Sequence, residues 1–154
     1  MVDKSELYAQ TLHDIECLIS GEDDWIAVMA TAACELHHAF DYFDWTGFYR
    51  VVAPGLLKIG PYQGRCGCLR ISFDQGVCGA AARTRTTQLV SDVRNFPGHI
   101  ACSPTTRSEI VLPVFDSNKN LIAVLDVDSN TLNAFDSIDQ ENLEKLCRII
   151  GEKI

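Results

Sequence analysis

SEIVLPVFDSNKNLIAVLDVDS, residues 108–129, reads as two apolar runs around a polar turn, DSNK at 116–119. Runs of this length, bounded by turn residues, are strands. Both faces of the pair are apolar, so the hairpin belongs at the covered centre of a sheet. Three carboxylates interrupt it. Asp126 and Asp128 are two residues apart and therefore share a face. A four-residue connection, 116–119 or 117–120, sets Glu109 opposite Asp126 or Asp128 on that face. A three- or five-residue connection would turn Glu109 to the other side. With the even register, three acids crowd one pocket. Burial and like charge then raise at least one pKa, so that a carboxylic acid stays protonated near neutrality and can donate its proton. The competing reading makes Glu109, Asp126 and Asp128 ordinary charges at strand ends, with Asp128 opening a turn.

Outward from the hairpin, helical periodicity marks residues 4–19, with Leu7, Ile15 and Leu18 on the apolar stripe, and 23–42, with Trp25, Val28, Met29, Ala32 and Leu36; Ser20-Gly21 separates the two. Cys17 and Cys34 fall within these patterns. WTGFYRVV (45–52) is a strand, with a hairpin partner in GLLKIGPYQG after Pro54-Gly55. CLRISF (68–73) is a third strand, DQGVCGAAARTR (74–85) a short helix, and TQLV (87–90) a short strand. The loop between that strand and the hairpin, SDVRNFPGHIACSPTTR (91–107), is long for a compact domain, and such loops are often functional. A last helix opens at Ser137, with Ser137 and Gln140 as a capping box. Helices at both ends of about six strands predict one α+β domain spanning 1–154. Its central sheet is antiparallel, and the terminal helices pack on one face.

Composition narrows the function. The 154 residues are 47% apolar and 22% charged, with a net charge of −8. An acidic chain is a poor ligand for phosphate backbones or anionic lipid. No apolar run is long enough to span a bilayer, and the first residues lack the apolar segment of a secretion signal, so a cytoplasmic location is expected. Seven cysteines are many for such a location, and the odd count argues against a structural disulfide framework. Cys17, Cys34 and Cys147 are read as small buried hydrophobes. Cys66, Cys68, Cys78 and Cys102 lie in loop-like or glycine-rich sequence. Cys78 opens a helix, where a thiol pKa is lowered. A zinc site using Cys66, Cys68, Cys78, Cys102 and His99 is disfavoured by the C-x-C spacing, and no metal or cofactor is expected. Trp45 and Tyr49, four apart on one strand, share a face. They are core residues or the walls of a small pocket suited to a polarizable sulfur group. Arg107 either orients an acid or the loop, or is a surface charge.

DWTGFY, GPYQG, CLRISFDQGVCGAAA, SDVRNFPGHIAC, RSEIVLPVF and AVLDVDS, taken together, resemble the free methionine-(R)-sulfoxide reductases, which are stand-alone GAF-domain enzymes. The resemblance covers roughly residues 20–154. It implies that Cys102 attacks the sulfoxide and that Cys68 resolves the oxidised enzyme as a disulfide. It also places Cys78 in the same pocket, lines the substrate site with Glu109, Asp126 and Asp128, and boxes the substrate methyl with Trp45 and Tyr49. Cys66 departs from the family pattern and competes as a resolving thiol. The implied reaction reduces free L-methionine-(R)-sulfoxide to methionine. A sulfenic acid on Cys102 becomes a disulfide, which a thioredoxin-like partner reduces. A homodimer is compatible with the resemblance. The rival readings are a GAF ligand sensor, whose cysteines need no redox pairing, and a redox switch built on Cys68 and Cys102, which gives the acids no task.

Overall fold

A computed structural model describes residues 3–154. Two helices open the chain, α1 (Lys4–Leu18) and α2 (Trp25–Ala39). Each is capped by an aspartate whose carboxylate takes free N–H groups of the first turn: Asp3 from Ser5, and Asp24 from Ile26 and Ala27. The strands β1 (Trp45–Ala53), β2 (Leu56–Gln63) and β3 (Arg70–Ser72) follow, then helix α3 (Gly76–Thr84). The chain continues through β4 (Gln88–Val90), the hairpin strands β5 (Ser108–Phe115) and β6 (Leu121–Ser129), and helix α4 (Ser137–Gly151). The six strands form one sheet in the order β3-β2-β1-β6-β5-β4, every pair antiparallel. The hairpin is therefore central, as its two apolar faces require.

Alternation along the strands divides the core in two. Phe48, Ile110, Leu112, Val114, Ala123, Leu125 and Val127 face α1, α2 and α4. Tyr49, Val111 and Val124 face the other way, with α3 and the long loop through Phe96 and Ile100. The terminal helices thus share one face. The opposite face is covered more thinly, and that is where a cavity forms. At Gly151, a Cβ would lie 1.9 Å from the Phe115 carbonyl oxygen, so only glycine lets α4 approach β5 this closely.

Several sequence expectations are corrected. The first helix buries Tyr8, Thr11, Leu12 and Ile15, while Leu18 is 60% exposed. Cys17 projects to solvent and Cys34 is only partly covered; of the three supposed core thiols, Cys147 alone is buried. The cap of α4 is Asp136, and its capping box is completed by Asp139, not by Ser137 and Gln140. The second helix stops at Ala39, and the third strand contracts to Arg70–Ser72. Among the described residues, no helix is long and apolar enough to cross a membrane.

Candidate active site

The site begins with the register of the hairpin. Glu109 pairs with Asp128 and Val111 with Asp126, so the three acids do share a face. The connection is nonetheless five residues, 116–120, the length that should have inverted Glu109. A bulge restores the parity. Val114 pairs with Ala123 but Phe115 pairs with Leu121, leaving Ile122 as the extra residue. On the other side of β6, Trp45 pairs with Asp128 and Gly47 with Asp126. Trp45 and Tyr49 therefore stand on the acidic face, stacked with ring centroids 5.7 Å apart.

These groups line a small cavity that opens to solvent, together with Cys78, His99 and Cys102. Gly47 makes room for the aromatic wall: a Cβ there would lie 2.7 Å from the Trp45 ring. Trp45 is fixed from above as well, because its indole N–H donates to the Arg65 carbonyl at 2.8 Å. The loop crosses the aromatic pair at Gly67, where a Cβ would lie 2.9 Å from the Tyr49 hydroxyl. The long loop closes the far side by docking on the start of α3, the Gly76 N–H donating to the Gly98 carbonyl at 3.0 Å.

Electrostatically the cavity is unusual. Glu109 and Asp126 are buried and Asp128 is largely so, yet no lysine or arginine lines the space. Burial, then the charges of Asp126 and Asp128, push the Glu109 carboxyl well above the ordinary carboxylate range. Burial and the Asp126 charge do the same for Asp128. Asp126 is pushed up to about 6 by burial, held from rising further by its hydrogen bonds. One of these comes from the Cys78 thiol to Asp126 Oδ2 at 3.3 Å; Asp126 Oδ1 is buried with no partner. His99 is pushed down by burial and so stays neutral.

The thiols sort themselves. Cys68 and Cys102 are joined in a disulfide, Cα atoms 5.4 Å apart, which leaves Cys66 exposed and free. The zinc set that combined Cys66, Cys68, Cys78, Cys102 and His99 is thereby ruled out in this oxidised form. Cys78 reverses its expectation. It does sit in the first turn of α3, but burial and then Asp126 and Glu109 raise its pKa well above the ordinary thiol value. Desolvation beside carboxylates outweighs the helix terminus. Cys78 is a buried hydrogen-bond donor, not an activated nucleophile. Arg107 is half-buried and outside the cavity lining; its backbone pins the loop, donating to the Ser129 carbonyl at 2.8 Å and accepting from the Val93 N–H at 2.9 Å. Residue-pattern reading missed Gly47, whose signal was a glycine inside a strand among aromatic residues, and Gly67, which lies between two cysteines and carries no such signal.

Known proteins carry the same frame. The GAF domain family profile matches residues 21–154. The free methionine-R-sulfoxide reductase of Saccharomyces cerevisiae is 38% identical over 98% of this chain and 87% of its own length. The protein of the same name from Escherichia coli is 37% identical over 94% of this chain and 87% of its own. The X-ray structure of free methionine-R-sulfoxide reductase from Neisseria meningitidis, in complex with its substrate, superimposes with a TM-score of 0.94 at 43% identity. That match covers 99% of this chain and 91% of the other. With these matches over nearly its full length and a cavity that joins a dithiol pair to a buried acid cluster, the chain belongs to the GAF-domain family of free methionine-R-sulfoxide reductases.

Proposed function

We propose that this protein reduces free L-methionine-(R)-sulfoxide to methionine, with Cys102 as nucleophile and the acid cluster as proton source. The observation that carries the reading is the Cys68–Cys102 disulfide beside a cavity whose acids are buried without a basic partner. In the reduced enzyme, the Cys102 thiolate attacks the sulfoxide sulfur. A protonated carboxyl delivers its proton to the oxygen; Glu109, buried and raised well above the carboxylate range by burial and its acidic neighbours, takes this part. The sulfur–oxygen bond breaks, the oxygen leaves on Cys102 as a sulfenic acid, and methionine is released. The Cys68 thiol then condenses with the sulfenic acid, expelling water and closing the disulfide. An external dithiol of the thioredoxin type takes the two oxidising equivalents.

Binding follows from the same groups. Asp126 and Asp128 complement the ammonium of a free amino acid, which a peptide lacks. Trp45 and Tyr49 present aromatic faces to the sulfur and its methyl. Buried beside carboxylates, the Tyr49 phenol has its pKa raised and remains a hydrogen-bond donor.

The test is a thioredoxin-coupled assay on the free R and S epimers and on N-acetylated, C-amidated methionine sulfoxide. Turnover is expected with the free R epimer only. Cys102→Ser should abolish it. Cys68→Ser should still release one methionine per chain in a single turnover but fail to recycle. Equal rates on free and blocked substrate would refute the ammonium assignment. Normal recycling by Cys68→Ser, with failure in Cys66→Ser, would move the resolving role to the exposed thiol.

A further inference from the structure

The mechanism above gives Cys78 no task and does not account for one bare oxygen of Asp126. Cys78 is a buried thiol outside the disulfide, and Asp126 Oδ1 is a buried carboxylate oxygen with no partner. They belong to one constellation. The ligand atoms offered by Cys78, Glu109 and Asp126 all lie within 4.8 Å of one another. Cys78 Sγ and Asp126 Oδ2 are already 3.3 Å apart. In a tetrahedral zinc site, neighbouring ligand atoms stand about 3.5 Å from each other, given Zn–S near 2.3 Å and Zn–O near 2.1 Å. Small side-chain adjustments would bring the three atoms to that spacing.

The donor set also selects the ion. A thiolate is a poor ligand for magnesium or calcium, and two carboxylates are poor ligands for copper(I). One sulfur with two oxygens suits a borderline cation, zinc above all. All three residues line the cavity, where no lysine or arginine competes for the carboxylates. Asp126 is 5% exposed and Glu109 6%, so an ion held there is shielded from water. In exchange it supplies the positive charge that this part of the cavity lacks.

We infer that Cys78, Glu109 and Asp126 form an inhibitory zinc site at the acidic wall of the cavity. As the ion enters, Cys78 gives up its thiol proton and Glu109 its carboxyl proton to solvent; no electrons move. Zinc occupies the place of the substrate ammonium and removes the proton that reduction requires. This exclusion of substrate, unlike the zinc site itself, rests on the function proposed above. The site is independent of the redox state of Cys68 and Cys102, because neither is a ligand.

The experiment uses the oxidised full-length protein, in which the disulfide removes Cys68 and Cys102 from consideration. Zinc is titrated against a chromophoric chelator, and cobalt(II) serves as a spectroscopic stand-in. One equivalent of tight binding is expected, with a thiolate-to-cobalt charge-transfer band. Cys78→Ser and Asp126→Asn should each weaken binding by more than about 100-fold, beyond the cost of an outer-shell change. Two exposed helix pairs, His13 with Cys17 and Cys34 with His38, have nitrogen and sulfur 3.7 Å apart and are the competing two-ligand sites. The Cys17→Ser/Cys34→Ser/Cys66→Ser protein must therefore retain the equivalent and the band. Loss of either in that protein, or an unchanged affinity in Cys78→Ser, would overturn the assignment. Melting curves and Cys78→Ala, as a second truncation, separate ligand loss from unfolding. In the Cys68→Ser/Cys102→Ser protein, which cannot turn over, added methionine sulfoxide should displace zinc. Retained one-to-one binding that the sulfoxide cannot displace would support the zinc site and count against the substrate reading.

Discussion

Two buried acidic sites lie on opposite faces of the same sheet, and they are solved differently. On the helical face, Asp139 of α4 is fully buried and fully partnered. It accepts from the Tyr8 hydroxyl at 2.7 Å, the Tyr42 hydroxyl at 2.6 Å and the backbone N–H of Asp136 at 2.7 Å, and pairs with Lys4 at 2.5 Å. On the cavity face, Asp126 meets only the Cys78 thiol and the neighbouring Glu109 carboxyl, and keeps one oxygen bare. Glu109 and Asp128 beside it meet like charges instead of cations. A carboxylate with all its partners supplied internally ties α1 to α4 and has no capacity left for a ligand. A carboxylate cluster without them is costly in the free protein and is reserved for something that arrives. The contrast predicts opposite phenotypes: function lost without stability on one face, stability lost without function on the other.

The largest expected effect is at Glu109. Glu109→Gln keeps the shape and removes the proton donor, so the single-turnover rate should fall by about 100- to 10,000-fold. The pH profile sharpens the test. With the Glu109 pKa raised, the wild-type rate should fall on the alkaline side as that proton is lost, and on the acidic side as the Cys102 thiolate is lost. The variant should lose the alkaline limb and keep the acidic one. A wild-type rate with an unchanged profile would return Glu109 to a purely structural part.

Next comes the opposite face. Asp139→Ala strips a buried network of its acceptor, leaving two phenols and an ammonium without it. The cost should be about 3 kcal/mol of unfolding free energy, or roughly 10 °C in melting temperature for a domain of this size. Turnover per folded molecule, measured well below the melting transition, should be unchanged. A large loss of kcat in folded Asp139→Ala protein would break the division of labour between the two faces.

Particular residues show which parts of this comparison were legible in the sequence. Strand parity was enough to put Asp126 and Asp128 together. The place of Glu109 hung on a loop length, and the chain reached the favourable register by an unforeseen route, through the bulge at Ile122. A bulge depends on the twist and neighbours of the whole sheet, not on the two strands alone. The Asp139 network was invisible because Tyr8 and Tyr42 stand 131 and 97 residues from Asp139 in the chain and every member carries a polar group. For the same reason the stripe of α1 was misphased. A reading that counts only aliphatic residues misses Tyr8 and Thr11, promotes exposed Leu18, and so carries Cys17 into a core it never enters. Cys78 failed differently. Its position at a helix start was read correctly, but the sign of its pKa depends on how much water reaches it, which only the packed structure supplies.

The smallest effect is also the most direct measure of the difference between the faces. Glu109 has an ordinary pKa of 4.5 and Asp128 one of 3.8, and both are raised well above these in the folded protein. Above about pH 4.5 the unfolded chain releases these protons while the native protein keeps them. The native state then binds more protons, so its stability declines as pH rises. The contribution of these groups is complete below the unfolded pKa values. It is lost as pH climbs through the window up to the folded ones, where the native protein ionises too and the slope ends. Each retained proton contributes a slope of about 1.4 kcal/mol per pH unit. Glu109→Gln removes one such proton, so its stability from urea unfolding should decline less steeply than wild type above pH 5, by about that amount per unit. At neutral pH the variant should be the more stable of the two while being nearly inactive. Parallel stability curves from pH 5 to 8 would mean that Glu109 ionises in the folded protein as it does in the unfolded chain. The cavity acids would then be no less satisfied than Asp139, and the contrast between the two faces would fail.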